Sequence, residues 1–356
     1  MARPAGFQLG AAKLAQEVPS DLIGNLLGYM PLGGLLCVAF LRSGNGPFAA
    51  AVRTLLSGAA LSYSLELIQY TLPGRVPSIS DWLLNTLGTA WGALAAVTAH
   101  ALGLVDVWSR LRERWFIPQA GFGLALIWMW PLGLLFPPPL PLGEGQLLPY
   151  LRVGLIELSR DTPWQAWLVP EDPLQLWVSG VPLVASAWWG PLRETLVVTL
   201  GLLAPMTVAC ALARPHTMRV LSLAGAVMMG VGTTAVATAM NFGPEHALTW
   251  LSLPTLNGLL LGSLVGCLLL PRSRRTCAVL GVMVLLGLIT LIHQVPPDPY
   301  YAQTLESWEH GRFIRFHGLA RWFGILWPYV ALGWLIGRIL GRDVIPVDST
   351  QPRMPP

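Results

Sequence analysis

Long stretches of this chain contain no charged side chain at all. None lies between Glu194 and Arg214, between Arg219 and Glu245, between Glu245 and Arg272, or between Arg275 and Asp298. A helix needs ~20 mainly apolar residues to cross a ~30 Å hydrocarbon layer, and these runs have that length. They are too long for barrel strands, and in lipid a helix satisfies every backbone group within the segment. Only 11% of the 356 residues are charged and 54% are hydrophobic, whereas soluble domains carry roughly 25% charged residues. That leaves too little polar surface to cover a water-soluble body of this size, and the same figures exclude a disordered chain, a coiled coil and a disulfide scaffold. The sequence therefore predicts an all-α fold, a polytopic transmembrane helical bundle.

Nine spans are read, at approximately residues 22–41, 50–72, 81–104, 116–136, 191–213, 219–240, 250–270, 276–295 and 319–340. Arginine placement sets their orientation, because cytoplasmic connections carry the excess of basic residues. The connections holding Arg42 and Arg53, then Arg110, Arg112 and Arg114, then Arg214 and Arg219, then Arg272, Arg274 and Arg275, then Arg338 and Arg342 alternate with acid-rich ones. The acidic connections hold Glu144, Glu157, Asp161, Glu171, Asp172, Asp298, Glu306 and Glu309. About nine spans then place the N-terminus outside and the C-terminus inside, in a multi-pass protein of the inner (cytoplasmic) membrane. Its arginines sit in short loops, where they set orientation rather than bind nucleic acid.

The expected organisation is a transmembrane core over 18–104, a fourth span with its loop over 105–136, and a Trp- and Pro-rich outer-face connection over 137–190. A C-terminal transmembrane half over 191–342, with the marks of a degenerate second copy, and a disordered tail over 343–356 complete it. The connection opens with Pro137-Pro138-Pro139 and holds Trp164, Trp167, Trp177, Trp188 and Trp189. Tryptophan favours the membrane–water interface, so this segment reads as an irregular lid on the bilayer surface. Cys37, Cys210, Cys267 and Cys277 lie in apolar stretches without ligand spacing and read as buried free thiols.

A local repeat carries the functional information. Residues 20–28 read S-D-L-I-G-N-L-L-G and residues 80–88 read S-D-W-L-L-N-T-L-G, and each copy starts a predicted span. Asp and Asn four apart share one helix face, and glycine further along lets neighbouring helices approach closely. Ser-Asp at a helix start also has a local use, capping free N–H groups and complementing the positive end of the macrodipole. Capping does not account for Asn25 and Asn85 one turn deeper, nor for span two, where Ser62, Glu66 and Gln69 share a face. An intramembrane carboxylate is costly unless paired, and functional by default. With span one starting outside, span two ending outside and span three starting outside, Asp21, Asn25, Glu66, Gln69, Arg75, Asp81 and Asn85 fall at one level near the outer surface. They form the expected ligand-binding set, with Glu66 and Asp81 as the candidate catalytic groups.

These residues resemble the VanZ-like family of polytopic membrane proteins. The resemblance rests on Asp21-x-x-x-Asn25-x-x-x-Tyr29-x-Pro31-x-Gly33, on Glu66-x-x-Gln69, on Pro73-Gly74-Arg75, and on Asp81-x-x-x-Asn85-x-x-Gly88-x-x-x-Gly92. It covers about a quarter of the chain. The family is named after a protein associated with resistance to the glycopeptide teicoplanin, so the resemblance implies a membrane location and a connection to the cell envelope.

Three classes of function stand beside one another. In the first, the outer-leaflet cluster binds or modifies an envelope molecule, with Arg75 receiving an anionic group and a desolvated Glu66 acting as proton donor. The second is a transporter or channel for a small envelope-related solute, which calls for broken helices and polar groups at the midplane. The third is a structural or regulatory membrane partner in which the cluster is interhelix glue. The sequence names no reaction. No phosphate loop, zinc helix, nucleophile elbow or dinucleotide fingerprint is present, so no cofactor and no metal are expected. The partners expected are membrane lipids and an anionic or polar envelope ligand.

Overall fold

The computed structural model describes residues 19–69, 78–160, 162–163, 188–214, 216–295 and 314–341, with the backbone alone at 19–23, 153, 216, 242 and 314–317. Eleven α-helices run through them: α1 (Pro19–Arg42), α2 (Pro47–Gln69), α3 (Ile79–Ala101), α4 (Leu104–Trp115), α5 (Gly121–Leu134), α6 (Leu148–Ser159), α7 (Trp189–Leu212), α8 (His216–Phe242), α9 (Leu253–Leu269), α10 (Arg274–Ile292) and α11 (Ile314–Leu340). Each of the nine apolar segments falls on one of these helices. Six of them, α1, α2, α7, α8, α10 and α11, are long and apolar enough to cross a membrane; α3 and α4 meet that test only as a pair, bent by 77° at their junction. The bend follows Leu102-Gly103, where Gly103 takes φ +71°, a left-handed turn that glycine adopts without a steric penalty. The helices α5 and α9 are apolar but shorter. The tail over 343–356, the acids Asp161, Glu171, Asp172, Asp298, Glu306 and Glu309, and the indoles of Trp164, Trp167 and Trp177 lie outside the described residues.

The chain divides into two compact units, Met1–Glu113 and Arg114–Pro356. In the first, α1 packs chiefly on α3, and α2 on both. A Cβ added at Gly88 would collide with the Leu26 carbonyl, and one at Gly92 with the Met30 carbonyl. The contacts advance together along both helices, so α1 and α3 run parallel, backbone against backbone, as small-residue packing in membranes allows. Gly58 of α2 admits the Thr89 side chain of α3, and α2 runs antiparallel to the pair.

In the second unit α7 is the centre. It is buried almost continuously from Val197 to Leu212, as expected of a helix that is apolar all round. It is packed by α5, α8, α9, α10 and α11, and the core contains Trp130, Leu134, Leu202, Leu285, Trp327 and Leu335. Here too a parallel pair meets through small residues. A Cβ at Gly258 would lie 2.7 Å from the Thr195 carbonyl, and one at Gly262 3.2 Å from that of Thr199.

The connection after α5 departs from the expected surface lid in its described part. α5 stops at Leu134 because Pro137-Pro138-Pro139 cannot continue a helix. Residues 136–147 then run as non-helical chain inside the second unit, with Leu142, Gly143, Glu144, Gly145 and Gln146 all buried. Leu142 is wholly buried at φ +59° and fills the space left by Gly201 of α7 and Gly230 of α8. Such chain is tolerated within a bundle only if its polar groups are met by protein. Pro328 has no N–H to bond the carbonyl four residues before it, and the Gly145 N–H donates to that Gly324 carbonyl at 3.0 Å. Tyr329 Oη donates to the Gly145 carbonyl at 2.8 Å, and Gln146 Nε2 to the Val295 carbonyl at 3.0 Å.

Two further expectations change. Arg219 is buried rather than in an open loop. Its guanidinium donates to the Leu270 carbonyl at 2.8 Å and to the Arg272 carbonyl, meeting carbonyls that the end of α9 leaves unpaired. Cys37, Cys210 and Cys277 are buried thiols, but Cys267 is exposed on α9.

Candidate functional site

The candidate site is built where α3 begins. Ser78 has extended backbone and caps the helix, its Oγ accepting the Asp81 N–H at 3.4 Å. The cap is thus Ser78, two residues earlier than the Ser80-Asp81 pair suggests, and Asp81 stands in the first turn, where a carboxylate complements the positive helix end. Its Oδ1 accepts from Asn25 Nδ2 of α1. The bond joins the asparagine of the first repeat copy to the aspartate of the second, across two parallel helices.

From α2, Glu66 reaches the same end. It is 8% exposed, and its Oε2 accepts the Ser78 N–H at 3.0 Å. That N–H just precedes the first turn of α3, so Glu66 and Asp81 both rest against the helix end best able to hold negative charge. One turn further in, Asn85 Nδ2 donates to Ser62 Oγ of α2 at 3.0 Å. Asn85 is 7% exposed, and its Oδ1 has no hydrogen-bond partner among the described residues. Tyr29 of α1 lies beside Ser62 and Glu66. Trp82 Nε1 donates to the Ala59 carbonyl at 3.0 Å and ties α3 to α2 just below.

The structure thus brings Asn25, Glu66, Asp81 and Asn85 to one end of the three-helix unit. Gln69, half-buried, is the last residue of α2. The Asp21 side chain and all of Arg75 lie outside the described residues. Sequence reasoning missed Ser78 as the donor to Glu66, although its position three residues before Asp81 is a capping signature. It left Ser62 and Tyr29 out of the site, although Ser62 shares the Glu66 face and Tyr29 falls within the first motif. Chemically, the cluster offers two carboxylates, two amides and three hydroxyls, a set suited to hydrogen bonding and proton transfer. Among the described residues no group of three or more His, Cys, Asp or Glu side chains is placed to hold a metal ion.

Glu144 of the second unit was expected merely as one acid of an outer connection. It is instead 3% exposed, with neither carboxylate oxygen hydrogen-bonded among the described residues. It lies outside the membrane-spanning helices, and burial pushes its carboxyl well above the usual carboxylate range. The sequence signal was a carboxylate bracketed by glycines and prolines, Leu140-Pro141-Leu142-Gly143-Glu144-Gly145, in otherwise apolar surroundings.

Residues 5–100 match the model of the VanZ/LLP1 family, the same part of the chain whose motifs carry the VanZ-like resemblance. The match supports a VanZ-like family assignment for this stretch, about a quarter of the chain. No curated protein and no solved structure matches the chain.

Proposed function

We propose that this VanZ-family membrane protein binds or modifies a cell-envelope molecule at the polar end of its first three helices, from the outer leaflet of the inner membrane. The observation that carries the reading is the convergence of Asn25, Glu66, Asp81 and Asn85 on the start of α3, from three mainly apolar helices. Polar groups at such depth are costly and concentrate where a membrane protein has work to do. The carboxylates act as hydrogen-bond acceptors or proton carriers toward the ligand, and Arg75 receives its anionic part. A link to glycopeptide (teicoplanin) susceptibility follows from the family.

The test is a susceptibility assay in cells carrying the wild type, Glu66→Gln, Asp81→Asn or both, at matched membrane levels. Both substitutions remove charge and keep shape. The expected outcome is normal insertion with loss of the envelope phenotype. An unchanged phenotype in the double variant argues against any charge-dependent role.

Two specific observations favour other readings. The bonds of Asp81 to Asn25 and of Glu66 to Ser78 are those of interhelix glue, the scaffold reading, and in that case the variants lower stability first. The short α5 followed by non-helical chain inside the second unit is a feature of transporters, and it favours movement of a small envelope-related solute.

A further inference from the structure

Glu144 is explained by none of the chemistry assigned to the first unit. Its Oε1 lies against Gly133 of α5, where an added Cβ would collide with it, and that same Cβ would lie 2.8 Å from Cα of Gly324 in α11. Gly133 therefore clears the space the carboxyl occupies, and Gly324 lets α11 come up against Gly133. A cavity of about 30 Å³ adjoins it, lined also by Phe136, Pro139, Tyr150 and Arg321, and that is room for a water molecule. The segment bearing Glu144 is held under strain by Leu142 at φ +59°, a conformation that costs of order 1 kcal/mol or more and persists where the surroundings over-determine it.

We propose that this pocket is a proton-binding site, in which the Glu144 carboxyl takes up and releases a proton inside the C-terminal unit. An ionised carboxylate without a hydrogen bond is too costly to keep buried, and it neutralises instead. The proton comes from water at the end of the pocket bearing Tyr150 and Arg321; it forms one O–H bond on the carboxylate and returns by the same path. Arg321, which lines the pocket, is engaged by the Tyr150 ring, 4.3 Å from its centroid, and makes no ion pair with Glu144. On the far side of Gly145, Tyr329 Oη and His293 Nε2 lie 3.5 Å apart, and His293 Nε2 accepts the Leu148 N–H at 3.2 Å. Arg193 of α7 is committed to the Gln294 carbonyl at 3.0 Å. Tyr150 and Arg321 are the other titratable side chains that line the pocket beside Glu144.

The sign of the pH dependence follows from burial. A folded-state carboxyl raised above its unfolded value of about 4.3 adds stability that is complete below that value and is lost as pH rises toward the folded one. The test uses the full-length chain in nanodiscs. Infrared difference spectra at neutral pH should show a protonated-carboxyl band in the wild type that Glu144→Gln removes. Thermal unfolding from about pH 5 to about pH 9 should show the wild type losing stability with rising pH more steeply than Glu144→Gln. Glu144→Gln, a neutral isostere, should fold and insert as the wild type does.

Four results overturn the proposal. One is the absence of a Glu144-dependent neutral band, and another is parallel pH profiles for the two proteins. The third is a Glu144→Gln chain that misfolds, because a site built around a neutral group must accept a neutral isostere. Stabilisation of the wild type alone by Na⁺ or K⁺ at constant ionic strength also contradicts it, and assigns Glu144 to a metal cation.

Discussion

Asn85 illustrates how one polar side chain inside an apolar helix is held. Its amide nitrogen is bonded to Ser62, while its oxygen has no hydrogen-bond partner among the described residues. A half-satisfied group of this kind costs stability and is retained where it has a role. Interhelix hydrogen bonds in membranes average only about 0.6 kcal/mol. A double-mutant cycle of Ser62→Ala and Asn85→Ala should give a coupling of about 0.5–1.5 kcal/mol in reversible unfolding, and a value near zero would remove the bond from the account. At this scale much was legible. Glu66, Asp81, Asn25 and Asn85 stand out because each is polar where apolar residues are cheaper. Ser78 was legible only as a cap, from its place three residues before Asp81; that its backbone N–H meets Glu66 was not, because that contact is set by the packing of α2 on α3. Glu144 was misread although its apolar surroundings in sequence pointed to burial; the residues that enclose it, Gly324 among them, lie far along the chain.

Among the elements, the glycines of α3 set the geometry on which the site depends. Gly88 and Gly92 bring the backbones of α1 and α3 together, and that approach lets Asn25 reach Asp81. The obstacles are carbonyl groups rather than flexible side chains, so a larger residue has no room. Gly88→Leu should lower thermal stability by the equivalent of roughly 1–3 kcal/mol or more and abolish function with it. Gly28→Ala, which meets nothing within 4 Å, should be neutral or stabilise by up to about 1 kcal/mol. Equal loss from both would mean that the close approach is not what holds the pair. The helices themselves were legible from charge-free runs, since hydrophobic length is a local property. The non-helical chain over 136–147 was not. The prolines announce where α5 ends, but the inward path depends on a carbonyl freed by Pro328 far along the sequence. The α7–α9 pair repeats the parallel, glycine-mediated contact of α1 with α3, and Glu194 of α7 accepts from Ser252 and Thr255 at the start of α9.

For the whole molecule, two units with separate cores carry two kinds of polar feature. The first, within which the family match falls, gathers partnered carboxylates at a helix start; the second, among the described residues, encloses the unpartnered Glu144. In the function proposed for the first, the charge carried by Glu66 and Asp81 serves an envelope molecule. Its most direct test is a comparative mass-spectrometric profile of lipids and cell-wall precursors. The cells compared would contain the wild type, the Glu66→Gln/Asp81→Asn chain at equal membrane abundance, or neither. The account predicts that the wild type shifts at least one envelope component and that the double variant returns the profile to that of cells lacking the protein. A double variant whose profile matches the wild type would contradict it.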